Sequence, residues 1–458
     1  MENLWRYISC IVFILIHEVY FASATLDPME PNGNITVKWD ILSWTDDGYN
    51  ALVTISNYQQ YRHIEYPGWS LGWSWRGKEV IWDMLGGEAT EQGDCSAFKE
   101  NNIPHSCKRH PIIVDLLATV SNNVKIGNCC RGGVLSSTVQ DPQNSVAAFK
   151  MRVGAAGTSK NTVLVPSNFS LKGPNMVYSC SPATKEQSSH FPTPSGQRKT
   201  QALKTWSVTC IYSPVLSHKT PLCCVSFSAF YNNNIIPCPA CSCGCHDPSQ
   251  NQPKPCLKEI PPATTESQSN MNTNTTEVRC THHMCEIRVH WHIMTSYKDY
   301  WRVKVTVMNF GYLKNYTDWN LLIQHPNFDS LERVDRFNYT GLTQNNHRND
   351  SAMFWGIKYF NDMLLQAGEM GNVQSEILMQ KITGKFTFNN GWGFPHKVYF
   401  NGDECMLPPP NVYPWLPRTT TTQRILSGPA FIATILIGAL LFIYLYWAYI
   451  MQRRTLPF

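Results

Sequence analysis

The sequence predicts an all-β protein: two related β-sandwich modules flanking a cysteine-rich segment, with an N-terminal signal peptide and a C-terminal hydrophobic tail. Three observations carry this expectation. Short runs of β-branched and aromatic residues, punctuated by turn residues, fill the body of the chain. One pattern of apolar positions returns at a constant offset. Apolar segments suited to a leader and to a membrane span lie at the two ends.

At the N-terminus, Arg6 precedes a short apolar run over 8–16, and Ala22-Ser23-Ala24 forms an A-x-A cleavage pattern. The run is too short to span a bilayer, so residues 1–24 read as a signal peptide removed before Thr25. At the other end, residues 431–450 are uninterruptedly apolar and long enough to cross hydrocarbon. Two alternatives stand. The segment is either a GPI signal, with Thr422 or Ser427 as attachment residues, or a single transmembrane helix with Arg453 and Arg454 on the cytosolic side. Either way the body lies outside the cell, on the outer face of the plasma membrane.

Seventeen cysteines include Cys10 in the leader, which leaves an even number for disulfides in an oxidising compartment. Six N-x-S/T sequons, at Asn34, Asn168, Asn274, Asn315, Asn338 and Asn349, fit an exported surface. A net charge of only +5, with 16% charged residues, gives no basis for nucleic-acid binding.

Strand-like runs open the first module, 25–175, at 35–39, 51–56, 69–75 and 79–82. The repeat begins there. Val37, Trp39, Ile41 and Ser43 return as Val289, Trp291, Ile293 and Thr295, an offset of 252. The same offset carries Asp47 to Asp299, Val53-Thr54-Ile55 to Val305-Thr306-Val307 and Asn57 to Asn309; after a small shift Trp69 faces Trp319. Alternating apolar positions in two strands joined by a turn produce this pattern. The second module is therefore set at 277–412. Between the modules, 176–256 is cysteine-rich and 257–276 reads as a glycosylated linker; a stalk, 413–430, follows the second module.

The chain resembles the plant COBRA-like family on Asp27-Pro-Met-Glu-Pro-Asn-Gly-Asn-Ile-Thr, Gln92-Gly-Asp-Cys95, Asn128-Cys-Cys-Arg-Gly-Gly133, Cys223-Cys-Val-Ser226, Val289-His-Trp-His292 and Gly371-Asn-Val-Gln-Ser-Glu376. That resemblance implies a GPI-anchored cell-surface protein needed for cellulose microfibril deposition and oriented cell expansion. Its N-terminal region is expected to be similar to a cellulose-binding module, with cellulose or a related β-glucan as partner. Two departures stand out. Ser106-Cys107 lies where a cysteine pair is expected, and the tail continues past its apolar run into Gln452-Arg453-Arg454.

Sugars present flat C–H faces that planar rings cover well. Trp73 and Trp75 lie at even spacing on one strand, and Trp44 and Tyr49 flank the preceding turn; these four are the carbohydrate-binding candidates. The competing reading places such rings in the core. Trp39 and Trp69 recur in the repeat and belong there. Trp69 shares a face with Trp73 and Trp75 in a regular strand, so a bulge must turn that face or one assignment fails.

The cluster Cys238–Cys245 lacks the second, separated half of a zinc site and reads as disulfide. Cys129-Cys130 and Cys223-Cys224 are each expected to reach separate strands, because a bridge between neighbours is strained. His290 and His292 share a strand face but are only two ligands, so no metal and no cofactor are expected. Glu88, Glu91, Asp94 and Glu376 mark no acid–base pair, and no residue is assigned to catalysis.

Overall fold

The computed structural model describes residues 27, 29–98, 102–192, 198–217, 221–239, 285–311, 314–325, 328, 331–342, 350–381, 393–414 and 447. The signal peptide, the linker 257–276, Asn274, Asn349, Thr422, Ser427 and, except for residue 447, the tail 431–450 lie outside these. No helix among the described residues is long and apolar enough to cross a membrane.

The repeat is a pair of long hairpins. Ile35–Thr45 pairs antiparallel with Gly48–Asn57, and Ile287–Ser296 pairs with Tyr300–Asn309. Both break register at the same repeat position, between Ile41 and Ser43 and between Ile293 and Thr295. Strand alternation turns Ile35, Val37, Trp39 and Ile41 into one core, and Ile287, Val289, Trp291 and Ile293 into the other. The asparagine that ends each hairpin does the same work twice. Asn57 Oδ1 accepts from the Gln59 amide, and its Nδ2 donates to the Arg62 and Ser136 carbonyls. Asn309 Oδ1 accepts from the Gly311 amide, and its Nδ2 donates to the Lys314 and Leu364 carbonyls. A buried amide satisfied in this way fixes where the chain leaves the sheet.

In the first module one eleven-stranded sheet folds over itself. Trp39, Val53 and Phe149 from one half meet Leu71, Trp73, Ile113 and Phe169 from the other in a single core. Trp39 stacks on Trp206 at 5.8 Å and meets Trp73 edge-on at 5.1 Å, so truncating it is expected to cost about 3–5 kcal/mol. The second module packs a six-stranded sheet against a five-stranded one. Trp69 and Trp319, matched in the repeat, are both sealed within their cores.

The expected boundaries need correction. Residues after 176 are not a separate segment. Lys204–Tyr212 pairs with Ile35–Thr45, and Ser167–Lys172 and Val177–Cys180 continue the same sheet. Cys223–Ala229 runs parallel to Ile287–Ser296 and belongs to the second module. These pairings join residues far apart in sequence, which local patterning does not record.

The bridges are Cys95–Cys107, Cys129–Cys130, Cys180–Cys210, Cys223–Cys405 and Cys224–Cys238, and Cys285 is also bonded. The adjacent cysteines 223 and 224 reach separate partners as expected. Cys129 and Cys130 instead bridge each other. Asn128 and Cys130 adopt positive φ (63° and 67°), which turns the two side chains together. The Asp115 carboxylate then holds the turn by accepting from the amides of Cys130, Arg131 and Gly133. Cys107 pairs without a second neighbour; Ser106 is buried and donates to the Glu91 carbonyl at 3.0 Å.

The modules meet across an ordered junction. Met29 and Tyr61 pack with Leu322, Met353 and Tyr399. Asp27 and Arg62, both 4% exposed at the side chain, pair at 2.9 Å. The Arg62 guanidinium donates to the Gly402 carbonyl and lies 3.7 Å from the Tyr212 ring centre. Gly402 (φ +89°) admits this approach, since a Cβ there would lie 2.9 Å from Arg62 Cγ. The Asn320 amide donates to the Tyr61 carbonyl and to Gln140, and Lys314 pairs with Glu65 at 2.7 Å. The motif beginning at Asp27 thus closes the seam between modules.

Candidate functional site

Three of the four sequence-predicted rings are closed to a ligand. Tyr49, Trp73 and Trp75 are only 1%, 2% and 2% exposed. The Ser70–Ser74 strand does break register between Gly72 and Ser74, but Trp69, Trp73 and Trp75 all still turn inward. Trp73 and Trp75 meet edge to face at 5.4 Å, and both lie edge-on to Trp39, so the even spacing records a core face. Trp44 is half-buried, packed on the core with its ring edge-on to Tyr49.

The equivalent hairpin of the second module instead carries aromatic side chains that reach the surface. The offset of 252 carries Thr45 to Tyr297 and Gly48 to Tyr300. The Tyr297 amide donates to the Tyr300 carbonyl at 2.7 Å and closes the turn, leaving Tyr297 50% exposed. Alternation along Tyr300–Asn309 sends Trp301 and Val303 inward, which puts Tyr300, Arg302 and Lys304 on the outer face.

Leu378 on the adjacent strand, Asn372–Gln380, stands opposite Arg302 on one side and Arg333 on the other. The side walls are therefore two strand spacings apart, roughly 10 Å. The result is a cleft of about 340 Å³ with Leu378 in its floor, Tyr297, Tyr300 and Arg302 on one side, and Arg333 and Asp335 on the other. Its size falls within the ~300–1,000 Å³ range typical of small-ligand sites.

The charges in the cleft are mutually arranged. Arg302 Nε lies 3.4 Å from a Glu376 oxygen, without the alignment of a hydrogen bond. Arg333 Nε donates to Asp335 at 2.5 Å. Guanidinium groups supply donors and carboxylates supply acceptors, so the cleft offers both beside two phenol rings. This is the chemistry of a polyhydroxylated ligand with apolar faces.

The first module closes the same place. A Cβ on Gly48 would lie 2.1 Å from the Val153 carbonyl oxygen. Trp82 covers the tip: its Nε1 donates to Asp47 at 2.6 Å, and its ring meets Phe98 edge-on at 5.3 Å. The sequence-predicted rings sit at the hairpin copy whose aromatic side chains are buried or half-buried. The signal that would have found the other was the repeat itself, in which Thr45 and Gly48 give way to two tyrosines.

The remaining polar residues behave structurally. His290 hydrogen-bonds with Ser226 through Nδ1 (2.6 Å) and with Ser228 through Nε2 (2.8 Å), one ring nitrogen donating and the other accepting, while Ser228 also meets His292 Nδ1 at 2.6 Å. Burial and the neighbouring His292 push the His290 pKa down to about 4. No group of three or more His, Cys, Asp or Glu suited to a metal occurs among the described residues. Glu376 lies in the cleft, whereas Glu88, Glu91 and Asp94 lie in the first module and form no pair with it. Asn168, Asn315 and Asn338 are exposed, and Asn34 is half-buried beside Thr36.

Residues 49–213 match the COBRA N-terminal domain, and residues 222–414 match the COBRA family C-terminal domain. The chain is 54% identical over 409 residues to COBRA-like protein 1 of Oryza sativa subsp. japonica, covering 89% of this chain and 90% of the relative. It is 56% identical over 398 residues to COBRA-like protein 2 of Arabidopsis thaliana, covering 86% and 88%. Identity to Protein COBRA of Arabidopsis thaliana is 49% over 438 residues, 95% of each chain.

Proposed function

The chain belongs to the COBRA family, and from that premise we propose that it is a non-catalytic plant cell-surface protein that binds cellulose or a related β-glucan. By holding glucan chains near the membrane it promotes microfibril deposition and oriented cell expansion. The leader, the sequons and the apolar C-terminal segment support a place on the outer face of the plasma membrane, held by a GPI anchor or a single helix.

The observation that carries the binding reading is the Tyr297–Tyr300 cleft, which pairs phenol rings with ionic donors and acceptors on a rigid sheet. Stacking on the rings supplies apolar contact, and the Arg302–Glu376 and Arg333–Asp335 pairs supply hydrogen bonds to hydroxyls.

The test is sedimentation of the full-length protein, purified in detergent from plant cells, with crystalline and with swollen cellulose. Depletion from the supernatant is expected with at least one form. A protein that stays in solution with both overturns the reading.

A further inference from the structure

We infer that the second module stands on the bilayer by its Phe230-Tyr231 turn, seating the rings at the boundary between lipid headgroups and acyl chains. This rests on the outer-face placement proposed above and adds which part of the body touches lipid.

An exposed aromatic turn lies at one end of the six-stranded sheet. Cys223–Ala229 and Ile287–Ser296 run parallel, so both finish at that end. Phe230 follows at once and is 67% exposed, its ring meeting Tyr231 edge to face at 5.6 Å. The Phe230 amide donates to the Ile293 carbonyl at 2.8 Å, which holds the turn against the sheet. A turn already fixed in this way loses little freedom on binding. Beside it, the turn after Ile287–Ser296 exposes Lys298 and one carboxylate, Asp299, and Lys381 donates to the Ser296 hydroxyl and the Tyr297 carbonyl. Aromatic rings with lysines close by suit an interface where apolar chains give way to phosphates.

The exit of the chain selects lipid as the occupant. Met406 pairs beside Cys224, and by Tyr413 the chain has reached Phe227, with 4.8 Å between ring centres. At residue 414 it is therefore heading toward the Phe230 end. Residues 415–430 lead from there to the apolar run 431–450 and span at most about 55 Å when fully extended. Attachment at Thr422 or Ser427 shortens the link further. The first module joins at the opposite end of the sheet, where Asn309 donates to the Lys314 carbonyl and Lys314 pairs with Glu65. One end is thus taken by protein, and the other faces the tether with its rings exposed. Seated by those rings, the long hairpin stands upright and the Asn309 end points outward.

Photolabelling of the full-length protein in phosphatidylcholine vesicles, with a diazirine on the acyl chain, tests this. Mass spectrometry reads the labelled residues. Tyr66 and Tyr359, 64% and 65% exposed, are internal controls that match Phe230 in exposure. Both lie toward the Lys314 end, Tyr66 next to Glu65 and Tyr359 near Asn361, which bonds to Asp318. Label at Phe230 and Tyr231 should exceed that at either control at least fivefold. Phe230→Ser should cut labelling at Lys298 at least threefold, with an unchanged melting temperature because the ring is exposed. Label spread evenly over the four aromatic positions, or undiminished at Lys298 in the variant, would overturn the inference. Failure of the protein to enter the vesicles at all instead removes the outer-face placement.

Discussion

Arg62→Met probes how firmly the two modules are joined. The substitution removes the 2.9 Å bond to Asp27, the donation to the Gly402 carbonyl and the cation over Tyr212. Asp27 then stays buried, with only the Tyr61 hydroxyl (2.6 Å) and the Met29 amide (2.9 Å) to satisfy its carboxylate. Leaving one member of a buried pair uncompensated costs about 3–5 kcal/mol, a large share of a typical stability of about 5–15 kcal/mol. Removing both charges in Asp27→Asn/Arg62→Met should recover most of that loss, because the desolvation penalty disappears with the charges. Urea unfolding followed by tryptophan fluorescence measures both variants. If the double variant is as unstable as the single one, the cost lies in lost packing, and the account of a charged seam fails.

Three further outcomes follow from the same structure. Gly48→Ala should destabilise by at least ~2 kcal/mol, because its Cβ meets the Val153 oxygen at 2.1 Å, whereas Gly341→Ala, with open space around it, should be neutral in the same melts. Burial raises both Glu30 and Asp403 to about 7; each favours its protonated form in the fold, so the stability they contribute is full below their ordinary values, near 4, and is lost as pH rises through 7. Melting temperature should accordingly fall between pH 5 and pH 8, and Glu30→Gln should flatten that slope. Cys223→Ser/Cys405→Ser opens a loop with a sequence separation of 182 and should cost roughly 5 kcal/mol by the chain-entropy account, read as a lowered urea midpoint.

The hairpins were legible in the sequence because a strand writes its buried face every second residue, and two copies wrote it at one spacing. Asn57 and Asn309 were visible as repeated letters, although their shared task at the sheet exit was not. The closing of the first module by Lys204–Tyr212 was hidden, since pairing with Ile35–Thr45 spans most of the domain. The Cys129–Cys130 bridge was misjudged because its feasibility depends on backbone dihedrals that composition does not reveal. Trp73 and Trp75 were misjudged for a different reason: a ring spaced for a sheet face looks the same whether that face meets solvent or another layer. The cleft escaped notice because its walls come from strands far apart in the chain.

The Cys223–Cys405 bridge ties the first strand of the second module to its last turns, with Val225 and Met406 joined alongside it and Tyr413 packed on Phe227. Tension entering the domain at residue 414 reaches this covalent staple almost at once. A pull applied at that end is thereby passed straight to residue 223 and on toward the first module, and the strands framing the cleft are spared the strain of being peeled apart.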